Sequence, residues 1–205
     1  MKHKFTTIMM VLVGMVALAM QANATVFTFQ ENGSNLDLGP TSTFTDGGFS
    51  LTASGFLTAG GPTDLFAKSA GVGETGLGTN IDSKDHEILS TDFVQLTLPT
   101  TPPSNFQMVL LASVQSGESA EVFFTKTAGS LTGATLIGTL TGNGSVTVPA
   151  GDQTGFIDIT AGSGNVLLES ATVTAIPDSG SAVALLGIAL AGIEGVRRMV
   201  RARKA

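Results

Sequence analysis

The chain has 205 residues, a net charge of −6 and only 13% charged residues, with 26 Gly, 12 Phe and no Cys, Trp or Tyr. Lack of cysteine excludes disulfides, thiolate metal sites, Cys nucleophiles and lipoprotein anchoring. The charge is segregated: between Thr25 and Asp178 three bases stand against fifteen acids, a net of −12, which excludes nucleic-acid partners and suits a solvated extracellular surface.

In chain order the first element is a leader. Residues 1–24 combine a basic start (Lys2, His3, Lys4), an apolar stretch from Ile8 to Met20 and the small-x-small run Ala22-Asn23-Ala24. That order is what a signal peptidase reads. The stretch is 13 residues, and a membrane span needs about 20, so the pattern predicts a cleaved signal peptide. Cleavage falls between Ala24 and Thr25, and the mature protein is exported.

Residues 25–175 read as one β domain. Short alternating runs recur between turn residues: "TVFTFQ", "GFSLTAS" with Phe49 and Leu51 on one face, and "DFVQLTLP" with Val94, Leu96 and Leu98 opposite Gln95 and Thr97. After the loop "TPPSN" come "FQMVLLASV", "AEVFFTKT" with Val122 and Phe124 on one face, "ATLIGTL", "GSVTVPAG", "GFIDIT" and "VLLESATVTA". Gly142-Asn143-Gly144 predicts a hairpin joining "ATLIGTL" to "GSVTVPAG". The sum is nine or ten strands. A single sheet that long would leave an apolar face wet, so the expected fold is all-β, an antiparallel β-sandwich of jelly-roll type.

The densest polar stretch is "GVGETGLGTNIDSKDHEILSTD", with Glu74, Asp82, Asp85, Glu87 and Asp92 beside His86. Ca²⁺ takes six to eight oxygens, and Asp82, Asp85 and Glu87 are the candidate ligands, although the spacing is not that of an EF-hand. The other reading of the same stretch is a solvated acidic loop. Paired acids also serve glycoside hydrolysis, but sugar sites are lined by aromatic platforms, and Trp and Tyr are both absent. His86 is the one body histidine, and no Gly-x-Ser-x-Gly elbow accompanies it. An enzyme is therefore not expected.

The C-terminal segment, residues 176–205, has three parts. Pro177-Asp178-Ser179-Gly180 within "IPDSG" is turn chemistry. Residues 181–196 form an apolar run containing Gly187 and Gly192, expected as a transmembrane helix, though 16 residues reach only about 24 Å against a hydrocarbon core of about 30 Å. Glu194 lies near its end, and Arg197, Arg198, Arg201, Arg203 and Lys204 supply a basic end (197–205) that the positive-inside preference places in the cytoplasm.

This tail resembles the PEP-CTERM and VPDSG-CTERM sorting tails of exported bacterial proteins, with Ile176 where the VPDSG motif has Val. The resemblance implies an exosortase substrate, held in the inner membrane until that transpeptidase cuts near Pro177, Asp178, Ser179 and Gly180. Gly76-Leu77-Gly78 followed by Ile81-Asp82 is similar to a stretch in many PEP-CTERM proteins. The implied role is a structural or adhesive protein of the cell surface or extracellular matrix, associated with exopolysaccharide. The alternatives are a Ca²⁺-assisted glycan-binding module and, behind it, a secreted hydrolase.

Overall fold

The computed structural model describes residues 24–29, 35–69, 74–81, 84–98, 104–150, 155–176 and 179–202. Residues 1–23 of the expected signal peptide (1–24), the ligand candidate Asp82, and Pro177 and Asp178 lie outside the described residues. Residues 24–175 form one compact unit.

Among the described residues fourteen strands run in chain order: β1 (Ala24–Thr28), β2 (Leu36–Gly39), β3 (Thr41–Asp46), β4 (Phe49–Leu57), β5 (Pro62–Thr63), β6 (Leu65–Ser69), β7 (Thr75–Thr79), β8 (Asp92–Thr97), β9 (Ser104–Ala112), β10 (Ser119–Thr125), β11 (Thr135–Leu140), β12 (Gly144–Thr147), β13 (Phe156–Ser163) and β14 (Leu167–Ala175). They build two antiparallel sheets. One has the order β12-β9-β14-β7-β6-β2, with β1 also on β14; the other has β11-β10-β13-β8-β4-β3, with β5 on β4.

The last eight strands are nested from the outside in. β7 pairs with β14, β8 with β13, β9 with β12 and β10 with β11, in alternating sheets. That nesting of a doubled-back chain is the jelly-roll arrangement expected from the sequence. The first six strands widen both sheets.

Alternation explains the core. On β4, Phe49, Leu51 and Ala53 are buried between the sheets, while Thr41 and Ser54, and Thr43 and Thr52, pair their hydroxyls across to β3 at 3.1 and 3.3 Å. Val94 and Leu96 of β8, Val122 and Phe124 of β10, and Ile157 and Ile159 of β13 are buried as the two-residue period requires. Phe27 on β1 and Phe29 just after it are also buried. Phe29 meets Phe44 of β3 edge to face at 4.9 Å, a contact between the two sheets. Burying those two phenylalanines is worth roughly 3–6 kcal/mol together, so β1 is held by core packing as well as by its ladder.

Two expectations need correction. The predicted hairpin around Gly142-Asn143-Gly144 does not form: β11 pairs with β10 and β12 with β9, in different sheets. A two-residue hairpin turn of that type needs positive φ at both central residues, and neither Gly142 nor Gly144 has it. Instead, Asn143 Oδ1 accepts a hydrogen bond from Val114 N at 2.8 Å, and the bare Cα of Gly138 leaves room for Val146, whose Cγ1 would lie 2.5 Å from an added Cβ. Among the described residues the strand count also rises from nine or ten to fourteen, because β2, β3, β5, β6 and β7 are only two to six residues long, too short for a two-residue period to stand out.

The polar side of β8 is covered too. Gln95 and Asp158 stand opposite each other on β8 and β13, and both are buried. Gln95 Nε2 donates to Asp158 Oδ1 at 2.8 Å, while Gln95 Oε1 accepts from Gly129 N at 3.1 Å, which ties the β10–β11 connection to the sheet. Asp158 Oδ2 has no partner among the described residues. Burial pushes the Asp158 carboxyl up to about 7, against the opposing effect of the Gln95 bond.

The helix α1 (Ser179–Ala202) has 24 residues. Among the described residues no helix is long and apolar enough to cross a membrane, so the transmembrane helix expected over 181–196 is not shown. Glu194, near the end of that run, pairs with Arg197 just beyond it at 3.7 Å.

A pH prediction follows from the buried carboxyls. Asp158 and Asp92 (raised to about 6) hold protons in the folded chain that an unfolded aspartate, with a pKa of about 3.9, releases. Their contribution is fully present below about pH 4 and is lost as pH rises through about 6 and 7. The urea midpoint should therefore fall between pH 5 and 8, and Asp158→Asn should flatten the upper part of that slope; an unchanged slope in the variant would contradict the assignment.

Candidate functional site

The acidic stretch singled out in the sequence is not a free loop. Its first part is β7, an interior strand of its sheet, and its glycines are there for space. Lys68 and Phe66 of β6 stand opposite Gly76 and Gly78. A Cβ on Gly78 would run into His86 O and Glu87 Cα, so only glycine lets the returning chain lie against β7 at that point. A Cβ on Gly76 would meet Leu168 O at 2.7 Å.

Across those glycines sits a charged cluster. Glu87 is 3% exposed and Lys68 8%, and Lys68 Nζ lies 2.5 Å from Glu87 Oε1. Ser113 Oγ, just after β9, donates to the same carboxylate, 3.1 Å from Oε1 and 3.3 Å from Oε2. Glu74, half-exposed, stands 3.4 Å from the ammonium. Burial alone would push Lys68 down, but the hydrogen bond and charge of Glu87, with Glu74 adding, outweigh it and hold the ammonium above the ordinary lysine range.

The backbone is bent to make this cluster. His86 (φ 53°) and Ser113 (φ 57°) have positive φ, a conformation uncommon outside glycine. One adjoins Glu87 in sequence and the other hydrogen-bonds it. The His86 ring stacks on Phe66, with centroids 3.8 Å apart and planes 12° from parallel.

Further along, Asp92 is fully buried at the start of β8. Its Oδ1 accepts from Leu89 N at 3.1 Å and shares the Thr79 hydroxyl, at 3.0 Å, with Glu87 O. Burial pushes Asp92 up to about 6 despite the bonds from Leu89, Thr79 and Thr91. Ile88 pairs with Val166, which fastens the segment to the start of β14.

These contacts decide the chemistry. Glu87 is committed to Lys68 and Ser113, Asp85 is exposed, and Asp82 lies outside the described residues. Glu87 and Asp85 therefore do not present a joint oxygen set, and among the described residues no three of His, Asp and Glu are placed to hold a metal. Nor is Ser113 poised as a nucleophile: it is buried and its hydroxyl is spent on a carboxylate already paired with lysine. The cluster is a clasp. Sequence reading missed its other half, since Lys68 is 19 residues from Glu87; the available signal was a lone lysine among the apolar residues of "LFAKS".

The clasp predicts a stability effect. Lys68→Ala leaves Glu87 buried and unpaired, and the expected cost is about 3 kcal/mol, read as a lower urea midpoint. Replacing both partners with apolar residues, Lys68→Met with Glu87→Leu, should recover most of it; a single variant as stable as the parent would refute the clasp.

The sorting candidates sit where the domain ends. β14 closes at Ala175, opposite Ser104 of β9, and Ile176 is 38% exposed. Ser179 and Gly180 open α1, while Pro177 and Asp178 lie outside the described residues. No curated protein and no solved structure matches the chain. Residues 175–200 match the family model of the VPDSG-CTERM motif, so this chain ends in a VPDSG-CTERM motif.

Proposed function

We propose that this is an exported protein whose tail is the substrate of an exosortase-type transpeptidase, and whose β domain is the part delivered. The observation that carries the proposal is the VPDSG-CTERM match over residues 175–200, which begins where the β14 ladder ends. The apolar stretch of α1 holds the chain at the inner membrane for a time, Pro177 to Gly180 is the recognition element, and the domain then passes to the cell surface or the extracellular matrix. A signal peptidase removes residues 1–24.

For the body we propose a structural or adhesive role among extracellular polysaccharides, without catalysis. What supports it is the fate of the reactive side chains: Lys68, Glu87, Ser113, Asp92 and Asp158 are all buried, and their hydrogen bonds hold loops to strands. The acidic exterior suits a hydrated matrix.

Intact-mass analysis of the exported protein tests this reading. In a strain with its exosortase, the expected species starts at Thr25 and lacks residues 197–204; in a strain without the enzyme the tail is retained. A mature protein that keeps the tail in both strains would refute the sorting reading.

A further inference from the structure

The bond proposed for the signal peptidase lies in a strand paired with the one that leads into the tail. β1 runs antiparallel to β14, with Ala24 opposite Thr174 and Thr25 opposite Val173. The bond expected to be cut by signal peptidase, Ala24–Thr25, is thus inside a ladder with the strand that leads into the tail. Neighbouring residues of such a pair lie about 5 Å apart.

Ala24 itself is exposed, but the Thr25 side of the bond is covered. Thr25 is only 8% exposed, and its Oγ1 would lie 2.5 Å from a Cβ on Gly47, so the β3–β4 turn sits directly over it. Phe27 and Phe29 anchor the strand in the core, and Phe29 N donates to Glu169 O at 3.1 Å. The tail side is different. The ladder stops at Ala175, and Ile176 is exposed.

We infer that closure of the sandwich locks the Ala24–Thr25 bond into the β1–β14 ladder while that ladder stops short of the exposed Ile176, so that leader removal must precede docking of β1 and tail removal can follow it. This rests on the proposed leader and sorting reading. Hydrolysis breaks the bond between Ala24 C and Thr25 N, with water giving its hydroxyl to the Ala24 carboxyl and a proton to the Thr25 amine. To do that, a peptidase must take the segment as an extended strand with its backbone groups free. In the folded domain β14 holds those groups along one edge of β1, and the β3–β4 turn packs against the Thr25 side chain. Timing follows from the topology: Thr174 is 150 residues after Ala24, so the partner strand is the last one made, and the bond stays open while the rest of the domain is translocated.

The test uses the full chain with its leader, in mild detergent, and purified signal peptidase. One sample is folded; the other is diluted from urea directly into the assay, and the new N-terminus is read by mass spectrometry. The expected result is cleavage to Thr25 in the diluted sample, at least about tenfold faster than in the folded one, because cleavage follows the open population. A folded Phe27→Ala variant, with β1 loosened, should be cut faster than the folded parent. Equal rates in folded and diluted parent would overturn the inference while leaving the leader reading intact. Cleavage of neither sample, or at another bond, would overturn the leader reading and the inference with it.

Discussion

Everything in this domain depends on β14 finding its partners. It pairs with β9 along its whole length, and its other edge takes β7 at Leu168 and β1 from Ser170 to Thr174. One strand therefore joins the beginning, middle and end of the chain. Such pairing is non-local, and the loop-closure entropy must be met before the contacts reward it. Register shifts next to Ser170 and Val173 let the strand twist while serving both edges.

The second constraint is how buried polar groups are satisfied. A sheet strand with apolar residues on one face normally turns the other to water, but β8 and β13 are covered on both. The chain accepts this by pairing Gln95 with Asp158 and letting the amide oxygen capture Gly129 N. On the other sheet, Lys68 and Glu87 do the same with Ser113 as the third partner. In both cases a polar pair fixes a long connection to a strand where a hydrophobic contact would leave its position loosely defined. Breaking such a pair from one side leaves a charge or an amide stranded, which is why its cost exceeds the net worth of the bond.

Legibility in the sequence followed the same division. The two-residue period of "GFSLTAS", "DFVQLTLP", "AEVFFTKT" and "GFIDIT" located β4, β8, β10 and β13 and their inward faces, because burial of Phe49, Leu51, Val94, Leu96, Val122 and Ile157 is a local property of the pattern. β7 was not legible: its glycines exist to admit a returning chain, and in a sequence they look like a loop. The Asn-Gly pair at 143–144 misled for a related reason, since Asn143 is used as an acceptor for Val114 N on a crossing between sheets. The Glu87 cluster could be noticed as acidic but not understood, because its lysine and serine arrive from 19 and 26 residues away.

The tail gains a different sense from the fold. A permanent anchor would need an uninterrupted apolar stretch of about 20 residues, whereas charged Glu194 and Arg197 cut this one short. The proposed role, delaying the chain until it is cut, makes no such demand. What it does require is a motif outside the strands of the domain, and the β14 ladder ends at Ala175. β14 thus serves twice: its hydrogen bonds complete the domain, and its end lies where the residues matching the sorting motif begin.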